Sequence, residues 1–356
     1  MPSAVKQRIE WVDALRGLTM LLVVAYHVAQ ISIGVDLKKS SSLPLLLLLR
    51  MPMFFFVSGF LAYSPTVVWT IGELGRRLLR KVRVQTVPTV VFLCVSIPLL
   101  RSVKQPFLDT FVTILGSSTK GGYWFTWVLL LMLALYYTAC YLGRRCENTV
   151  VLTLFVASLA LYETAYVPHW DKVLWQHPWV YATSLRLLVI YLPFFLFGNL
   201  VRRHWNGCQR LLDSRWLFPV AVLVAFFGAT DYLRWHTMRL VWANLPRTLA
   251  MFALLIIMVS VFRRYESSLS RRTLVGRVLQ YIGRRTLDIY LLHYLFLPKL
   301  PGLKGFFDGN PRDFLTEQVV FLAIALVVAA ACLLTSALLR TSPLLAKWLF
   351  GKEGRV

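Results

Sequence analysis

The chain has 356 residues, of which 58% are hydrophobic and only 15% charged, and its 39 Lys and Arg against 16 Asp and Glu give a formal net charge of +23. So few polar residues cannot clothe a soluble domain of this size, which excludes that class. The basic residues punctuate the gaps between apolar blocks instead of gathering in one solvated region, which speaks against nucleic acid as a partner and makes them topology determinants of a membrane protein.

A membrane helix takes roughly 20 mostly apolar residues. In chain order, such blocks fall at about 11–34, 43–63, 84–101, 123–143, 149–167, 184–201, 216–232, 245–262, 279–297 and 315–339. The predicted fold is all-α, a polytopic integral membrane bundle of about ten transmembrane helices with both termini cytoplasmic. It forms a single domain over 1–356, with no room for a soluble domain at either end. Placing the N-terminus inside makes every inner gap basic. These gaps hold Lys6 and Arg8, then Arg76, Arg77, Arg80, Lys81 and Arg83, and later the runs around 144–145, 202–215, 263–285 and 340–355. The outer gaps hold Lys38, Lys39, Arg101, Lys104, Lys120, Lys172, Arg234, Arg239, Lys299, Lys304 and Arg312, so the inner side carries roughly twice as many basic residues, as the positive-inside rule requires. Adding or losing one span would put arginine clusters outside. The first apolar run contains Asp13 and Arg16 and lacks a small-residue cleavage site, so it reads as a retained helix rather than a signal peptide. The five cysteines form no CxxC pair, and no disulfide framework, zinc site or other metal site is expected.

Four basic residues, Arg16, Arg50, Arg186 and Arg247, fall inside predicted spans. Charges at that depth cost an estimated ~2.5–3.5 kcal/mol each on insertion scales, so intramembrane ionisable residues are where function is sought. In the first span, Arg16 and His27 are about three helical turns apart and share a face, roughly 16 Å along the axis, with Asp13 one turn before Arg16. In the ninth span, Thr286, Tyr290 and His293 follow i, i+4, i+7 spacing and share a face, either as interhelical glue or as part of a site. The second span, with Pro52, Ser58 and Gly59, reads as packing when taken alone. Arg80 and Arg83 lie one turn apart; they are explained by topology alone, or as a guanidinium clamp for phosphates. The outer segment with His169, Trp170, Asp171, Trp175, His177 and Trp179 fits an interfacial aromatic belt, or a rim on which sugars stack.

Five segments in this order resemble membrane-bound acyltransferase family 3, and within it the fucose 4-O-acetylase-like proteins. They are Arg16-x10-His27 after an Asp-x-Leu-Arg-Gly opening, PMFFFVSGF at 52–60, RKVR at 80–83 followed by Pro88, YWFTWVLLL at 123–131 with Thr126 in place of the usual leucine, and GRRTLDIYLLHYLF at 283–296. The resemblance spans nearly the whole chain and agrees with ten helices.

The resemblance implies a transferase that moves an acyl group, most often acetyl, from cytoplasmic acyl-CoA to a hydroxyl of an extracytoplasmic or lipid-linked glycan. The resemblance carries over onto Arg16 and His27 as the helix-one motif and onto Arg80 and Arg83 as the Arg-x-x-Arg motif. The reading of the residues completes the expected site, with His27, Arg16 and Asp13 catalytic, Arg80, Arg83 and Arg16 holding the donor, and Ser58, Trp124, Tyr290 and His293 as substrate or structural candidates. Some relatives carry an SGNH-type domain at the C-terminus; this chain is expected to lack it. His27 is then a general base on the acceptor hydroxyl, with an acyl-histidine as a less favoured variant, and Asp13 orients Arg16. The expected setting is a plasma membrane, bacterial inner membrane by resemblance, where the protein serves polysaccharide O-acetylation in the cell envelope. A transporter or flippase for a lipid-linked sugar or anionic solute is the alternative, because intramembrane Arg and His suit a substrate path equally well. Oligomeric state, acceptor and source organism are not legible.

Overall fold

The computed structural model describes residues 9–37, 39–100, 106–165, 170–234, 244–309 and 313–351. Lys6, Arg8, Lys38, Arg101, Lys104, Arg239, Arg312, Lys352 and Arg355 of the charge reading, and His169 of the aromatic outer segment, lie outside them. The described residues are helical throughout, with no strand among them. In chain order the helices are α1 Glu10–His27, α2 Leu43–Ala62, α3 Ile71–Lys81, α4 Val87–Leu100, α5 Phe107–Gly116, α6 Trp124–Leu142, α7 Glu147–Thr164, α8 Pro178–Ala182, α9 Leu185–Arg203, α10 Trp205–Leu212, α11 Leu217–Arg234, α12 Leu245–Arg264, α13 Leu274–Arg284, α14 Thr286–Phe296, α15 Lys304–Gly309, α16 Phe314–Leu339 and α17 Pro343–Phe350.

Seven helical segments among the described residues are long and apolar enough to cross a membrane: 10–33, 43–62, 71–99, 124–142, 185–203, 245–264 and 314–339. The chain is therefore a multi-pass membrane protein. α10 and the first part of α11, bent by 82° at their junction, would make an eighth if counted as one broken span. The predicted span at 149–167 is present as α7, an 18-residue helix with Glu147 in its first turn and Glu163 near its end.

Two predicted boundaries are corrected. The third span does not begin at 84. A π-helical turn, Val82–Thr86, joins α3 to α4, so one helical segment runs from Ile71. Thr70 caps it by accepting the Glu73 amide, and Arg76 to Arg83 ride on this helix rather than in a connecting gap. The ninth span is not one helix. It breaks at Arg285, whose φ of −114° and ψ of 21° end α13 and start α14. α13 is amphipathic, exposing Leu274, Arg277 and Arg284 while burying Gly276, Gln280 and Ile282. An arginine-bearing stripe is favoured at the headgroup level over the hydrocarbon.

Close helix approach through glycine builds the bundle. A Cβ on Gly17 or Gly283 would collide with the backbone of the facing helix, at Leu279 and at Asp13, so α1 and α13 touch main chain to main chain. Gly59 and Gly198 do the same for α2 and α9, against Phe195 and Phe56. Without a hydrophobic force between helices in lipid, such small-residue seams supply the packing contacts. Pro52 does not interrupt α2.

A buried ion pair holds α14 to α16. Asp288, 3% exposed, accepts two bonds from Arg340 Nη2 at 2.7 and 2.9 Å, one from Nε at 3.1 Å and one from the Ser336 hydroxyl at 2.5 Å. Arg285 stands 3.5 Å from the same carboxylate. Asp288→Ala is expected to lower stability by about 2–3 kcal/mol, since breaking a buried pair strands the remaining charge and Arg340 keeps some exposure. The melting temperature of detergent-purified protein checks this; an unchanged value would remove the pair from the account of the fold.

Lys120 is not the solvent-facing outer charge expected of it. It is buried in a short turn with φ 49°, and its ammonium donates to the carbonyls of Leu115 at 2.7 Å, Ser117 at 2.9 Å and Ala182. Burial lowers its pKa from the usual lysine value. The charge fastens the turn after α5 to the end of α8.

Candidate active site

The helix-one residues fall at two levels. At the N-terminal end of α1, Arg16 donates to the Thr286 hydroxyl at 3.0 Å and lies 3.7 Å from Asp13, as the one-turn spacing predicts. The seam at Gly17 and Gly283 sets this meeting, because backbone contact brings the start of α14 within reach of α1. At the other end, His27 Nδ1 lies 2.9 Å from His293 Nε2. Both residues are legible in the sequence as separate candidates; their pairing across two helices comes only from the packing.

The hydrogen-bond chain sets the tautomers of the pair. His293 Nδ1 lies 2.8 Å from the Tyr290 carbonyl and 3.1 Å from that of Ile289, and carbonyls only accept, so Nδ1 carries the proton. For two neutral rings, His293 Nε2 is then the acceptor and His27 Nδ1 the donor. The lone pair of His27 is left on Nε2, 3.5 Å from the Tyr294 hydroxyl. A free imidazole nitrogen whose ring is held by a second, fully buried imidazole can serve as a general base.

A cavity of roughly 540 Å³ enters from the Arg16 end. That size suits a small-molecule site. Its mouth is basic: Arg76, Arg77, Arg80 and Lys81 line it with Arg16, against the single carboxylate of Glu73. Glu73 is already engaged by Arg77 Nε at 2.6 Å and Arg76 Nη1 at 3.1 Å. Deeper walls come from Thr19, Ser58, Phe125, Thr126, Thr286 and Tyr290. The cavity ends at Tyr290, whose ring centroid is 6.2 Å from that of His293. Tyr290 also packs edge-on to Tyr123 and Phe125, at 5.9 and 5.7 Å between centroids, so one aromatic layer separates the cavity from the histidines.

Of the predicted residues, Arg16, Arg80, Ser58 and Tyr290 line the cavity and His27 meets His293 beyond it. Asp13 acts on Arg16 from outside the lining. Two placements differ from expectation. Arg83 does not line the cavity; it lies exposed on the π-helical turn that follows Arg80 and Lys81. Trp124 does not line it either. It stacks on Tyr191 at 5.5 Å and packs on Phe55 at 6.1 Å. Arg76, Arg77 and Lys81 are legible only as topology charges, because the sequence places them in a gap and the structure places them on a helix beside the cavity. Tyr294 is an addition that only the tertiary structure makes, and Arg50, legible in the sequence only as an intramembrane charge, is brought beside Tyr26 and His27 by the packing. In the outer segment, Trp175 is buried and donates to the Thr164 carbonyl at 3.1 Å, while Trp179 is exposed.

The model of the acyltransferase 3 family, described as an acyltransferase domain, matches residues 9–338. The chain belongs to this family. Comparison with curated proteins and with solved structures gave no match. Family membership makes the protein a membrane acyltransferase, and both the cavity and the histidine pair lie within the matched residues.

Proposed function

We propose that this acyltransferase moves an acyl group, acetyl by preference, from cytoplasmic acyl-CoA to a hydroxyl of an extracytoplasmic or lipid-linked glycan. The observation that carries the reading is the basic-mouthed cavity leading toward an oriented His27. Guanidinium groups bind phosphates bidentately, so Arg76, Arg77 and Arg80 suit the phosphates of coenzyme A. The polar floor at Thr19, Thr126 and Thr286 suits the amides of the pantetheine arm. In this reading both termini are cytoplasmic, so the basic cavity mouth lies on the donor side and His27 toward the acceptor side. The setting is the plasma membrane of a bacterial cell, serving cell-envelope glycans.

In this mechanism the acceptor oxygen attacks the thioester carbonyl as His27 Nε2 takes the hydroxyl proton. The C–S bond then breaks, and the coenzyme A thiolate leaves with that proton. His293 holds the imidazole of His27 by its Nδ1–H throughout. Tyr290 moves aside, or the pantetheine arm passes it, for the thioester to reach the pair.

Arg80→Ala is expected to weaken coenzyme A binding about tenfold, because it removes one charge-assisted phosphate contact from a cluster that retains others. Titration of detergent-purified protein with coenzyme A measures this. Arg83→Ala, placed outside the cavity, is expected to bind as the parent does. Equal weakening by both would place the donor elsewhere on the basic helix.

A further inference from the structure

Arg50 is an intramembrane cation in the middle of α2 that the donor cavity does not use. Its guanidinium carbon lies 3.6 Å from the ring centroid of Tyr26, the residue before His27. It interacts electrostatically with His27 and with Tyr26, Tyr191 and Tyr294, Tyr26 also hydrogen-bonding to it, and among the described residues no carboxylate acts on it. Its Nε is buried without a hydrogen-bond partner among the described residues. Tyr294 marks the convergence: its hydroxyl faces His27 Nε2 at 3.5 Å, and it also feels the Arg50 charge.

A guanidinium enclosed without an anion is costly, and stacking on Tyr26 offsets only part of that cost. A cation held beside a general base does useful work when an anion forms there. Acyl transfer forms one. When the acceptor oxygen bonds to the thioester carbon, the carbonyl π electrons move to its oxygen, which carries a full negative charge until it collapses and expels the coenzyme A thiolate. We propose that Arg50 is the oxyanion-stabilising group of this step, its N–H donors facing the carbonyl oxygen while His27 Nε2 faces the attacking hydroxyl. The assignment rests on the acyltransferase mechanism above. The guanidinium is fixed before reaction by Tyr26, so it stabilises charge present in the transition state and absent from the thioester. The His27 proton goes to the departing sulfur, and Arg50 exchanges no proton.

The rival occupant for Arg50 is an acidic group on the acceptor itself. Water as acceptor separates the two, because hydrolysis of acetyl-CoA passes through the same oxyanion and brings no acidic sugar. The test measures coenzyme A thiol release from acetyl-CoA by detergent-purified protein without glycan, for the parent, Arg50→Gln, Arg50→Lys and His27→Gln, with coenzyme A affinity measured on each. Arg50→Gln is expected to slow turnover about 10²–10³-fold, the effect of losing one oxyanion donor, with coenzyme A affinity unchanged. Arg50→Lys keeps the charge but not the planar fork and is expected to be about tenfold slower than the parent. Arg50→Gln within threefold of the parent overturns the proposal, as does Arg50→Lys at the parent rate, which decides the matter even where Arg50→Gln fails to fold. A parent protein that turns over acetyl-CoA with neither water nor any acceptor refutes the acyl-CoA reading itself, whereas an active parent with an inactive His27→Gln and an active Arg50→Gln refutes Arg50 alone.

Discussion

His27→Gln is expected to abolish measurable acyl transfer, a loss of about 10²–10⁴-fold or more, while leaving a folded, membrane-inserted protein. Glutamine can still donate an amide N–H to His293 Nε2, which His27 Nδ1 approaches at 2.9 Å, so the buried ring keeps its partner. It has no basic nitrogen, so it cannot take the hydroxyl proton. His27→Ala is expected to lose activity to the same degree and also some stability, about 1–3 kcal/mol, because it strands a buried acceptor. The pair makes a graded prediction at the second imidazole. His293→Gln retains both an acceptor for His27 and a donor for the Tyr290 carbonyl, whereas His293→Ala retains neither. Turnover is expected to fall in the order parent, His293→Gln, His293→Ala, His27→Gln. The measurement is thiol release from acetyl-CoA, with melting temperature taken on the same samples. A His27→Gln protein with parent-like turnover would remove the histidine from the chemistry.

Gly59→Leu is expected to be among the most damaging substitutions in the bundle. A Cβ at Gly59 would already overlap the Phe195 carbonyl, and Gly198 faces Phe56 equally closely, so this seam has no slack. The facing atoms are backbone and cannot rotate away. Helices α2 and α9 would have to separate, which disturbs the Phe55–Tyr191 stack at 5.0 Å and the Asn199 amide that donates to the Gly59 carbonyl at 3.3 Å. Overpacking costs about 1–3 kcal/mol where side chains can adjust, and more is expected where backbone blocks relief. Abundance in membranes and the melting temperature of whatever is recovered are the readouts. Gly207→Leu, with nothing within 4 Å of its would-be Cβ, is the control and is expected to behave as the parent does. A stable Gly59→Leu protein would show that the seam is looser than its geometry.

Much of the site is legible in the order of residues, because a helix repeats its faces. The three turns between Arg16 and His27 survive unchanged, as does the Asp13–Arg16 contact, since both depend only on helical periodicity. Periodicity also finds Thr286, Tyr290 and His293. It fails at Arg83, which sits on a π-turn and is not part of the cavity wall that Arg80 lines. It fails again at Arg285, where one apolar block becomes two helices. Composition cannot register either event, because both blocks stay apolar on average.

The amino-acid sequence by itself determines that this protein is a multi-pass membrane helical bundle, that its first and late helices carry the candidate site residues, and that it resembles the family its residues 9–338 match. Long apolar blocks and helical spacing are local properties, and they decide those points. Only the tertiary structure decides that His27 meets His293, that Arg16 meets Thr286, and that Arg50 and Tyr294 converge on the same imidazole. Those meetings join residues as much as 270 positions apart in sequence, through seams where glycine lets main chains touch. Which helix lies against which is set by that close packing, and no single helix contains the information.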